Sequence, residues 1–232
     1  MDEAKPTTPV SVAIDGPSGA GKSTVARAVA AEVGMVYVDT GAMYRAVALH
    51  CINSGASLED EAEIAASLDD LKIGVVFAGG EQRVYLGTQD VTERLRTQDV
   101  ADGSSKVAAV RAVRELLVKL QRGIAEECGV VMDGRDIGTY VLPFADVKIF
   151  LDADADVRTR RRMGELADKG LESSFEKIRA EIIERDFRDT NRAFSPLRKA
   201  PDAVVIDTSE MNFTEVKKKI RMLIEEMINT KE

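Results

Sequence analysis

The sequence contains very little of the chemistry that histidine, cysteine and tryptophan bring to an active site. Of its 232 residues, one is histidine, two are cysteine and none is tryptophan. Cys51 and Cys128 cannot build a disulfide framework, a zinc cluster or an iron–sulfur site without many other ligands, so we expect both to act as small hydrophobic side chains. His50 lies within a predicted helix (41–53) and has no neighbouring partner in sequence, so catalysis or metal binding by histidine is not expected.

Long apolar runs and an excess of positive charge are also missing. No run of 18 apolar residues occurs, and the polar opening segment (1–9) lacks the apolar centre of a signal peptide. We therefore expect a soluble cytoplasmic protein without a membrane partner. The formal net charge of −8 disfavours nucleic acid as a partner. A length of 232 residues with 44% hydrophobic residues is sufficient for one large α/β domain with room for an insertion.

What the chain does contain is a glycine-rich loop directly after an apolar run. Residues 16–23 read GPSGAGKS, which fits G-x-x-x-x-G-K-[ST], and they stand between an expected strand (10–14) and an expected helix (22–33). Glycines at this spacing let backbone N–H groups turn inward around an anion at the helix N-terminus. Lys22 can reach the β- and γ-phosphates, and the Ser23 hydroxyl is placed to bind Mg²⁺. The predicted ligand is a Mg²⁺ nucleoside triphosphate.

Strands and helices alternate along most of the chain in the order that is typical of a parallel sheet. Apolar runs predict five strands, at 10–14, 35–38, 130–132, 147–151 and 203–206. Helices are predicted at 22–33, at 41–53, at 97–127 with a break near 108–111, and at 214–228. Polar or glycine-rich residues follow every strand, at the edge where open α/β sheets bind ligands. The expected fold class is α/β, with a five-stranded parallel sheet flanked by helices.

One segment breaks this alternation. An acidic helix is predicted at 57–70, and it is followed by β-rich runs at 72–77 and 82–86 that are separated by Gly79 and Gly80. Because a hairpin has no place in a doubly wound sheet, we interpret residues 68–96 as a small antiparallel β insertion beside the core. Two roles remain open for it, a surface hairpin without function or a movable wall of a second substrate site.

Arginine is concentrated after the fourth strand. The region contains nine arginines, Arg158, Arg160, Arg161, Arg162, Arg179, Arg185, Arg188, Arg192 and Arg198. Acidic neighbours make an ordinary solvated helix face one explanation for each of them. Arginine is also the side chain best shaped for two-pronged contacts with phosphate, and this chain already carries a phosphate loop. The sequence therefore predicts further phosphate contacts from this region.

The loop alone does not choose a reaction, because switches, motors and small-molecule kinases all use it. The sequence lacks the guanine-reading N-K-x-D of GTPases, and the chain is much smaller than most motor ATPases. Small size and intramolecular arginines favour a kinase with a compact anionic acceptor. A phosphate acceptor needs no general base, which suits a chain with one histidine. UMP, AMP or a hydroxyl acid remain open as acceptors, as does a regulatory module that holds ATP without transferring phosphate.

Several longer motifs together resemble bacterial cytidylate kinases. They are IDGPSGAGKST (14–24), DTGAMYR (39–45), RTQDV (96–100), DGRDIGT (133–139), VKIFLDA (147–153), ERD (184–186) and DTNR (189–192). They cover the chain from residue 10 to residue 207 at compatible spacing. Their joint occurrence is far more specific than the phosphate loop alone.

The resemblance implies a P-loop nucleoside monophosphate kinase fold and an activity. The γ-phosphoryl group of ATP would pass to CMP or dCMP, giving CDP or dCDP and ADP, with Mg²⁺ as cofactor. The implied ATP-binding residues are Gly16, Pro17, Ser18, Gly19, Ala20, Gly21, Lys22, Ser23 and Thr24, with the lid arginines Arg158, Arg161 and Arg162. Those implied to surround the monophosphate are Thr40, Arg45, Ser105, Arg114, Arg135, Asp136, Arg185, Asp189 and Arg192. The implied catalytic residues are Lys22, Arg135, Arg158 and Arg162, and Ser23 is the implied protein ligand of Mg²⁺, with ATP oxygens and waters.

The chemistry of these residues suits the implied roles. Arg45 and Arg135 lie at strand–helix junctions and can offer two-pronged donors to the acceptor phosphate. Cytosine presents an amino donor beside ring-nitrogen and carbonyl acceptors, and Ser105, Arg114 and Asp136 supply the matching groups. Asp189 could accept a hydrogen bond from a ribose hydroxyl.

The resemblance also implies how the chain is divided. We expect one kinase unit (1–232), with a core at 10–67 and 97–232, a monophosphate-binding β insertion at 68–96 and a lid at 154–170. ATP and CMP or dCMP are the expected partners, and a monomer is the expected state.

Overall fold

The computed structural model describes residues 9–168 and 170–231. The polar opening segment (1–9), for which no signal peptide is predicted, therefore lies outside the described residues apart from Pro9. Lys169 of the predicted lid and Glu232 also lie outside them. The strands of the described chain are β1 (Ser11–Asp15), β2 (Val36–Asp39), β3 (Ile73–Ala78), β4 (Glu81–Leu86), β5 (Gln89–Asp90), β6 (Val130–Gly134), β7 (Val147–Asp152) and β8 (Val204–Asp207). Its α-helices are α1 (Lys22–Val33), α2 (Thr40–Ser54), α3 (Glu61–Ser67), α4 (Gln98–Val107), α5 (Arg111–Glu127), α6 (Ala155–Ala167), α7 (Phe175–Asn191) and α8 (Phe213–Lys231).

A five-stranded parallel sheet forms the centre of the molecule, with the strand order β2-β6-β1-β7-β8. These are the five strands that the apolar runs predict, so the α/β fold class is confirmed. The central strand β1 is covered on both sides, and Val12, Ala13 and Ile14 are fully buried. Since all five strands run in one direction, the residues that follow them meet at one edge of the sheet.

Helices cover both faces of this sheet, and the alternation of side chains along β1 separates the two cores. Val12 and Ile14 pack with the buried side chains of α1 and α8. Ala13 points to the opposite face and packs in the core that α2 and α5 share. Full burial of each valine or isoleucine contributes about 1.5–3 kcal/mol to the hydrophobic stabilisation of the fold.

Helix boundaries agree closely with the sequence for the long helices. Helix α1 ends at the predicted residue 33, and the next residue, Gly34, caps it: its φ of 71° is left-handed and its N–H donates to the Ala30 carbonyl. The predicted break near 108–111 lies between α4 and α5. The acidic helix is shorter than predicted: α3 begins at Glu61, because Asp60 caps it by accepting from the N–H groups of Ala62 and Glu63, and residues 68–70 form a separate 3₁₀ turn.

The predicted hairpin is present as part of a three-stranded antiparallel sheet, β3-β4-β5. Gly79 and Gly80 connect β3 to β4 with positive φ values of 62° and 80°, which is the backbone of a type I′ turn. The third strand, β5, was not predicted, because it consists of two polar residues without hydrophobic alternation.

The small sheet is attached to the core through helix α2. Ala46 and Leu49 of α2 pack with Val84 of β4 and Leu95. The Gln82 side chain adds a polar link, since its Oε1 accepts from the Asp39 N–H at 2.8 Å and its Nε2 donates to the Asp39 carbonyl at 3.1 Å. Among the helices of the described residues, none combines the length and the apolar character needed to cross a bilayer.

Candidate active site

A cleft of about 290 Å³ opens at the carboxyl edge of the parallel sheet. The loop after β1 and the residues at the ends of β2 and β6 form its floor, and α4, α5, α6 and α7 contribute to its walls. The residues that line it are Ser18, Gly19, Gly21, Lys22, Ser23, Thr24, Asp39, Thr40, Gly41, Tyr44, Arg45, Ser104, Ser105, Ala108, Arg114, Asp133, Gly134, Arg135, Asp136, Arg162, Glu165, Arg185, Asp189 and Arg192. Arginine, carboxylate and hydroxyl groups predominate, so the cleft suits a strongly anionic, hydrogen-bonding ligand.

The phosphate loop is held in shape by close contact with the neighbouring strand β7. A Cβ at Gly16 would lie 1.9 Å from the Leu151 carbonyl oxygen, and the Gly16 φ of 147° is open only to glycine. The Lys22 ammonium folds back and donates to the Pro17 carbonyl at 2.6 Å. Burial lowers the pKa of Lys22 well below its usual value, and the nearby Arg135 lowers it further. An anion in the loop would stabilise this buried charge.

Beside the loop, the Ser23 hydroxyl and the Asp133 carboxylate lie next to each other and could both bind a metal ion. The Ser23 hydroxyl, on the first turn of α1, donates to Asp133 Oδ2 at 2.7 Å, and the Tyr37 hydroxyl donates to Asp133 Oδ1 at 2.9 Å. Burial raises the pKa of Asp133, and the Asp39 carboxylate raises it further. The described residues contain no cluster of three or more histidine, cysteine or carboxylate side chains that could hold a metal alone. A Mg²⁺ ion here would need phosphate oxygens and waters to complete its ligands, which is its usual mode of binding.

Three arginines converge on the floor of the cleft. The Arg45 guanidinium is 2.9 Å from the Asp39 carboxylate, and Arg135 Nε donates to Asp189 at 2.9 Å. Arg185 also lines the cleft, and its buried Nε has no hydrogen-bond partner within the described part of the chain. Burial lowers the pKa of Arg185 to about 10, and the neighbouring Arg135 contributes to this shift. Three guanidinium groups so close together favour the binding of a doubly charged phosphate.

Asp189 balances part of this positive charge. Burial alone would raise the pKa of its carboxyl, but Arg135, Arg185 and Arg192 outweigh burial and lower it. The reverse holds for Arg135: burial opposes its charge, yet Asp189 raises the pKa of Arg135 above the usual value. Asp189 is therefore an ionised hydrogen-bond acceptor at the edge of the cleft.

A second cluster of polar and charged side chains surrounds Asp136. Arg114 and Ser195 donate to the same oxygen, Asp136 Oδ2, and Arg192 lies 3.3 Å from Oδ1. Ser195 is the one non-glycine residue with positive φ, 52°, in the described ranges, and its carbonyl accepts from Arg192 Nε at 2.6 Å. This strained turn places its hydroxyl on Asp136.

Two hydroxyl groups in the same part of the cleft have no protein partner. Within the residues that the structure describes, Tyr44 OH and Ser105 Oγ are buried without a hydrogen bond. The Arg114 guanidinium lies over the Tyr44 ring at 5.3 Å from its centre, and burial raises the pKa of Tyr44 to about 12. Buried polar groups are rarely left unpaired in native proteins, so these hydroxyls are candidates for contact with a bound ligand.

The three lid arginines lie in different surroundings. Arg162 lines the cleft and pairs with Glu165 at 2.9 Å. Arg158 is buried behind the phosphate loop, where it donates to the Ser18 carbonyl at 3.0 Å and pairs with Asp186 at 2.5 Å. Arg161 donates to the backbone and side chain of Thr208 after β8.

Comparison with known proteins assigns the chain to a family. Residues 12–226 match the family model described as Cytidylate kinase. The chain belongs to the cytidylate kinase family. It is 51% identical over 205 residues to the cytidylate kinase of Desulforamulus reducens, which covers 88% of this chain and 92% of that protein. It is 44% identical over 219 residues to the cytidylate kinase of Caldicellulosiruptor saccharolyticus, which covers 94% and 97% respectively.

Among solved structures, an uncharacterized protein from Eubacterium ventriosum has a similar fold. Its TM-score is 0.52 at 13% sequence identity, with 93% of this chain and 98% of that chain covered. At this identity the likeness concerns the fold alone, and it agrees with the sheet and helices described above.

The structure of this cytidylate kinase family member brings most of the predicted site residues together. The predicted monophosphate-binding residues all line the cleft: Thr40, Arg45, Ser105, Arg114, Arg135, Asp136, Arg185, Asp189 and Arg192. Of the loop, Ser18, Gly19, Gly21, Lys22, Ser23 and Thr24 line it, whereas Gly16, Pro17 and Ala20 do not. Arg158 and Arg161 are also absent from its lining. Whether each residue contacts a substrate stays a prediction.

Several groups of this family member that belong to the site were not predicted. Asp133 lies at the end of the apolar strand β6, which pairs with β1, a position that could have suggested a carboxylate beside the phosphate loop. Tyr44 and Asp39 stand within the quoted motif 39–45, but nothing in the sequence reveals an unpaired hydroxyl or an arginine partner. Ser195 carried no signal, because neither its positive φ nor the contact of its hydroxyl with the distant Asp136 can be read from the sequence.

Proposed function

We propose that this protein is a (d)CMP kinase that transfers the γ-phosphoryl group of ATP to CMP or dCMP, forming ADP and CDP or dCDP. One observation carries the proposal: the phosphate-loop lysine Lys22 and the buried Arg114–Asp136 pair open into the same cleft. The first suits a triphosphate and the second suits a cytosine. The names of the relatives in the family agree with this assignment.

ATP binds at the phosphate loop, residues 16–24. Its phosphates replace the Pro17 carbonyl as the partner of Lys22, so the buried ammonium gains the anion that it lacks. The predicted contacts of Arg158 and Arg161 with ATP require these residues to leave Ser18, Asp186 and Thr208 when the lid moves. Arg162 already faces the cleft and needs only to exchange Glu165 for a phosphate.

Mg²⁺ fits the oxygen pair of Ser23 and Asp133, with the remaining positions left to phosphate oxygens and waters. When bound, Mg²⁺ neutralises charge on the triphosphate. The hydroxyl of Ser23 would hold it directly, and Asp133 would hold it directly or through water. Ser23 and Lys22 both line the cleft, so both groups can reach the phosphates of one bound triphosphate.

The acceptor phosphate binds to Arg45, Arg135 and Arg185, with Thr40 beside them. Asp39 and Asp189 hold Arg45 and Arg135 in place before the ligand arrives, so little side-chain entropy is lost on binding. The Nε of the charged Arg185 has no hydrogen-bond partner among the described residues. An oxygen of the acceptor phosphate supplies this partner.

The cytosine binds against Arg114, Asp136 and Ser105. The Asp136 carboxylate accepts from the amino group of the base, and Arg114 and Ser105 donate to the ring nitrogen or carbonyl. Uracil presents a carbonyl oxygen where cytosine presents the amino group. This oxygen cannot donate a hydrogen bond, and its partial negative charge would be repelled by the Asp136 carboxylate. Asp189 and Arg192 then lie near the ribose hydroxyls.

The transfer itself requires positioning and charge neutralisation rather than a base. An acceptor phosphate oxygen is already ionised, and His50 is bound to the Ser67 carbonyl, outside the cleft. Lys22, Arg135 and Arg162 stabilise the charge that spreads over the transferring group. Residues 154–170 act as a lid, 68–96 as the monophosphate-binding insertion, and 10–67 with 97–232 as the core of one kinase unit (1–232). A cytoplasmic monomer without nucleic-acid or membrane partners remains the expectation from sequence.

An acceptor panel tests the proposal. ADP release from Mg²⁺-ATP is measured with CMP, dCMP, UMP, AMP or shikimate at one low concentration, and without acceptor. We expect CMP and dCMP to stimulate release most, and slow release without acceptor because the lid is incompletely closed. Preference for another acceptor would overturn the monophosphate assignment, and ATP binding without stimulated release would indicate a regulatory module.

A further inference from the structure

Asp15 is a buried carboxylate that the proposed reaction does not use. It is the last residue of β1, directly before the phosphate loop, and 3% of its surface is exposed. Its two oxygens accept from the backbone of a segment more than 120 residues away: Oδ1 from the Ile137 N–H at 2.8 Å and Oδ2 from the Gly138 N–H at 2.7 Å.

The two N–H groups belong to the start of a short helical turn, Ile137–Val141. The first N–H groups of any helical turn have no partner within it and need one from outside. The residue that ordinarily supplies this partner is the one just before the turn, and aspartate is among the residues most often found there. In this chain that residue is Asp136.

Asp136 does not cap its own turn. Its backbone carbonyl accepts from Tyr140 and Val141, but its side chain makes no capping hydrogen bond. The carboxylate instead accepts from Arg114 and Ser195 and lines the cleft. The group best placed to cap the turn is therefore occupied elsewhere, and a carboxylate from another strand caps it.

We propose that Asp15 is a positioning residue for base recognition, which caps the turn 137–141 and thereby leaves the Asp136 carboxylate free to face Arg114 and the bound base. The base-reading part of this inference rests on the proposed function. Without Asp15, the Asp136 side chain is the nearest carboxylate in sequence to the exposed N–H groups. Turning to cap them would take it away from Arg114 and Ser195.

The substitution Asp15→Asn tests this role, because asparagine has the same shape but only one oxygen acceptor. Its NH₂ group would face one of the two N–H donors, so one capping bond is lost. Asp146→Asn is the matched control: Asp146 accepts from the Ser11 N–H at 2.8 Å at the opposite end of β1, away from the cleft. If Asp15→Asn does not fold, Asp15→Ser offers one acceptor oxygen in a smaller side chain.

A crystal structure of the variant is the readout that does not depend on the substrate. We expect the Asp136 carboxylate to have turned toward whichever of the two N–H groups, of Ile137 or of Gly138, the asparagine leaves unpaired. An Asp136 that stays on Arg114 and Ser195 while this N–H group is left to water would overturn the inference. Failure of the proposed function would be seen separately, as a wild-type protein that does not phosphorylate CMP.

Kinetics supply the second readout. Because a charge-assisted hydrogen bond to the base is weakened, we expect the KM for CMP to rise about tenfold or more and the preference for CMP over UMP to fall. The KM for ATP should change less, through the charge that Asp15 presents to Lys22. In the Asp136→Ala background, Asp15→Asn should have little further effect on the CMP to UMP preference. Additive losses, or a loss equal to that of Asp146→Asn, would show that Asp15 is only structural.

Discussion

Arg114 and Asp136 form a buried ion pair at the inner end of the cleft, with side-chain exposures of 1% and 5%. The pair joins α5 to the segment after β6, and Arg192 and Ser195 complete its surroundings. Buried ion pairs contribute less to stability than their proximity suggests, because both charges lose their hydration. A functional reason for this pair is that it presents a donor and an acceptor side by side to a pyrimidine base.

Replacement of Arg114 should separate the two substrates. Arg114→Ala is expected to raise the KM for CMP by about 100-fold, because donors to the base are lost, and to leave the KM for ATP nearly unchanged. It should also lower the free energy of unfolding by up to about 3–5 kcal/mol, since Asp136 loses a buried partner. Steady-state kinetics and urea unfolding measure the two effects. Arg111→Ala, on the same helix with an exposed Glu115 partner, is the control, and equal losses for CMP and ATP would refute the base-reading role.

Lys22 should matter for turnover and little for folding. Lys22→Ala is expected to lower kcat by about 10³-fold, because the charge directed at the transferring phosphoryl group is removed. Burial lowers the pKa of Lys22, so the charged form is costly in the absence of ATP, and the variant should unfold at the same urea concentration or a higher one. Lys217→Ala, which removes a lysine paired with Glu32, is the control. Wild-type turnover in the Lys22 variant would contradict the assignment.

The Gln82 side chain should connect the small sheet to acceptor binding. It holds the backbone of Asp39, and Asp39 holds Arg45. Gln82→Ala is expected to raise the KM for CMP about fivefold to tenfold without affecting ATP, because two hydrogen bonds are lost. Gln82→Glu should give a smaller effect, since it can still accept from the Asp39 N–H.

The neighbouring residue supplies the control for this prediction. Arg83 pairs with Asp90 inside the small sheet at 3.5 Å, so Arg83→Ala removes a contact that does not reach the core. If the Gln82 and Arg83 substitutions had equal effects on the KM for CMP, the small sheet would be a surface hairpin without function rather than a wall of the acceptor site.

The ionisation of Asp15 should make stability depend on pH. Burial raises the pKa of Asp15 to about 7, with a further rise from Asp136, and the amide hydrogen bonds and Lys22 only partly oppose it. Because the pKa is higher in the folded than in the unfolded chain, the folded state binds more protons between about pH 4 and pH 7. The contribution of Asp15 to stability is therefore complete below pH 4 and is lost as the pH rises through 7.

Urea unfolding of the wild type and of Asp15→Asn at pH 5 and pH 8 measures this contribution. The free energy of unfolding of the wild type minus that of the variant should fall by about 2 kcal/mol between the two pH values. A difference that stays constant or rises with pH would show that Asp15 is ionised throughout this range.

The hydrophobic pattern and the glycines were enough to predict the parallel sheet, helix α1 and the hairpin. These features depend on neighbouring residues: the apolar run of β1, the left-handed Gly34, and the pair Gly79 and Gly80. Strand β5 was missed because two polar residues form it by pairing with β4. The start of α3 was placed too early because Ser57 and Asp60 are both plausible caps in sequence.

The candidate site was less predictable, because its geometry depends on contacts between distant segments. The Ser23–Asp133 pair exists only because β6 lies beside β1, and Ser195 reaches Asp136 only through a left-handed turn. The sequence could not distinguish the three lid arginines either. Their surroundings follow from partners such as Asp186 and Thr208, which fold next to them from later parts of the chain.

The measurement that tests the central claim most directly follows the phosphoryl group itself. ATP labelled at the γ-phosphate is incubated with the purified protein, Mg²⁺ and an equal mixture of CMP and UMP, and the nucleotides are then separated. We expect the label in the β-phosphate of CDP, with little in UDP, and a loss of this preference in Arg114→Ala. Label that appears only as free phosphate, or equally in CDP and UDP, would contradict a kinase that reads cytosine.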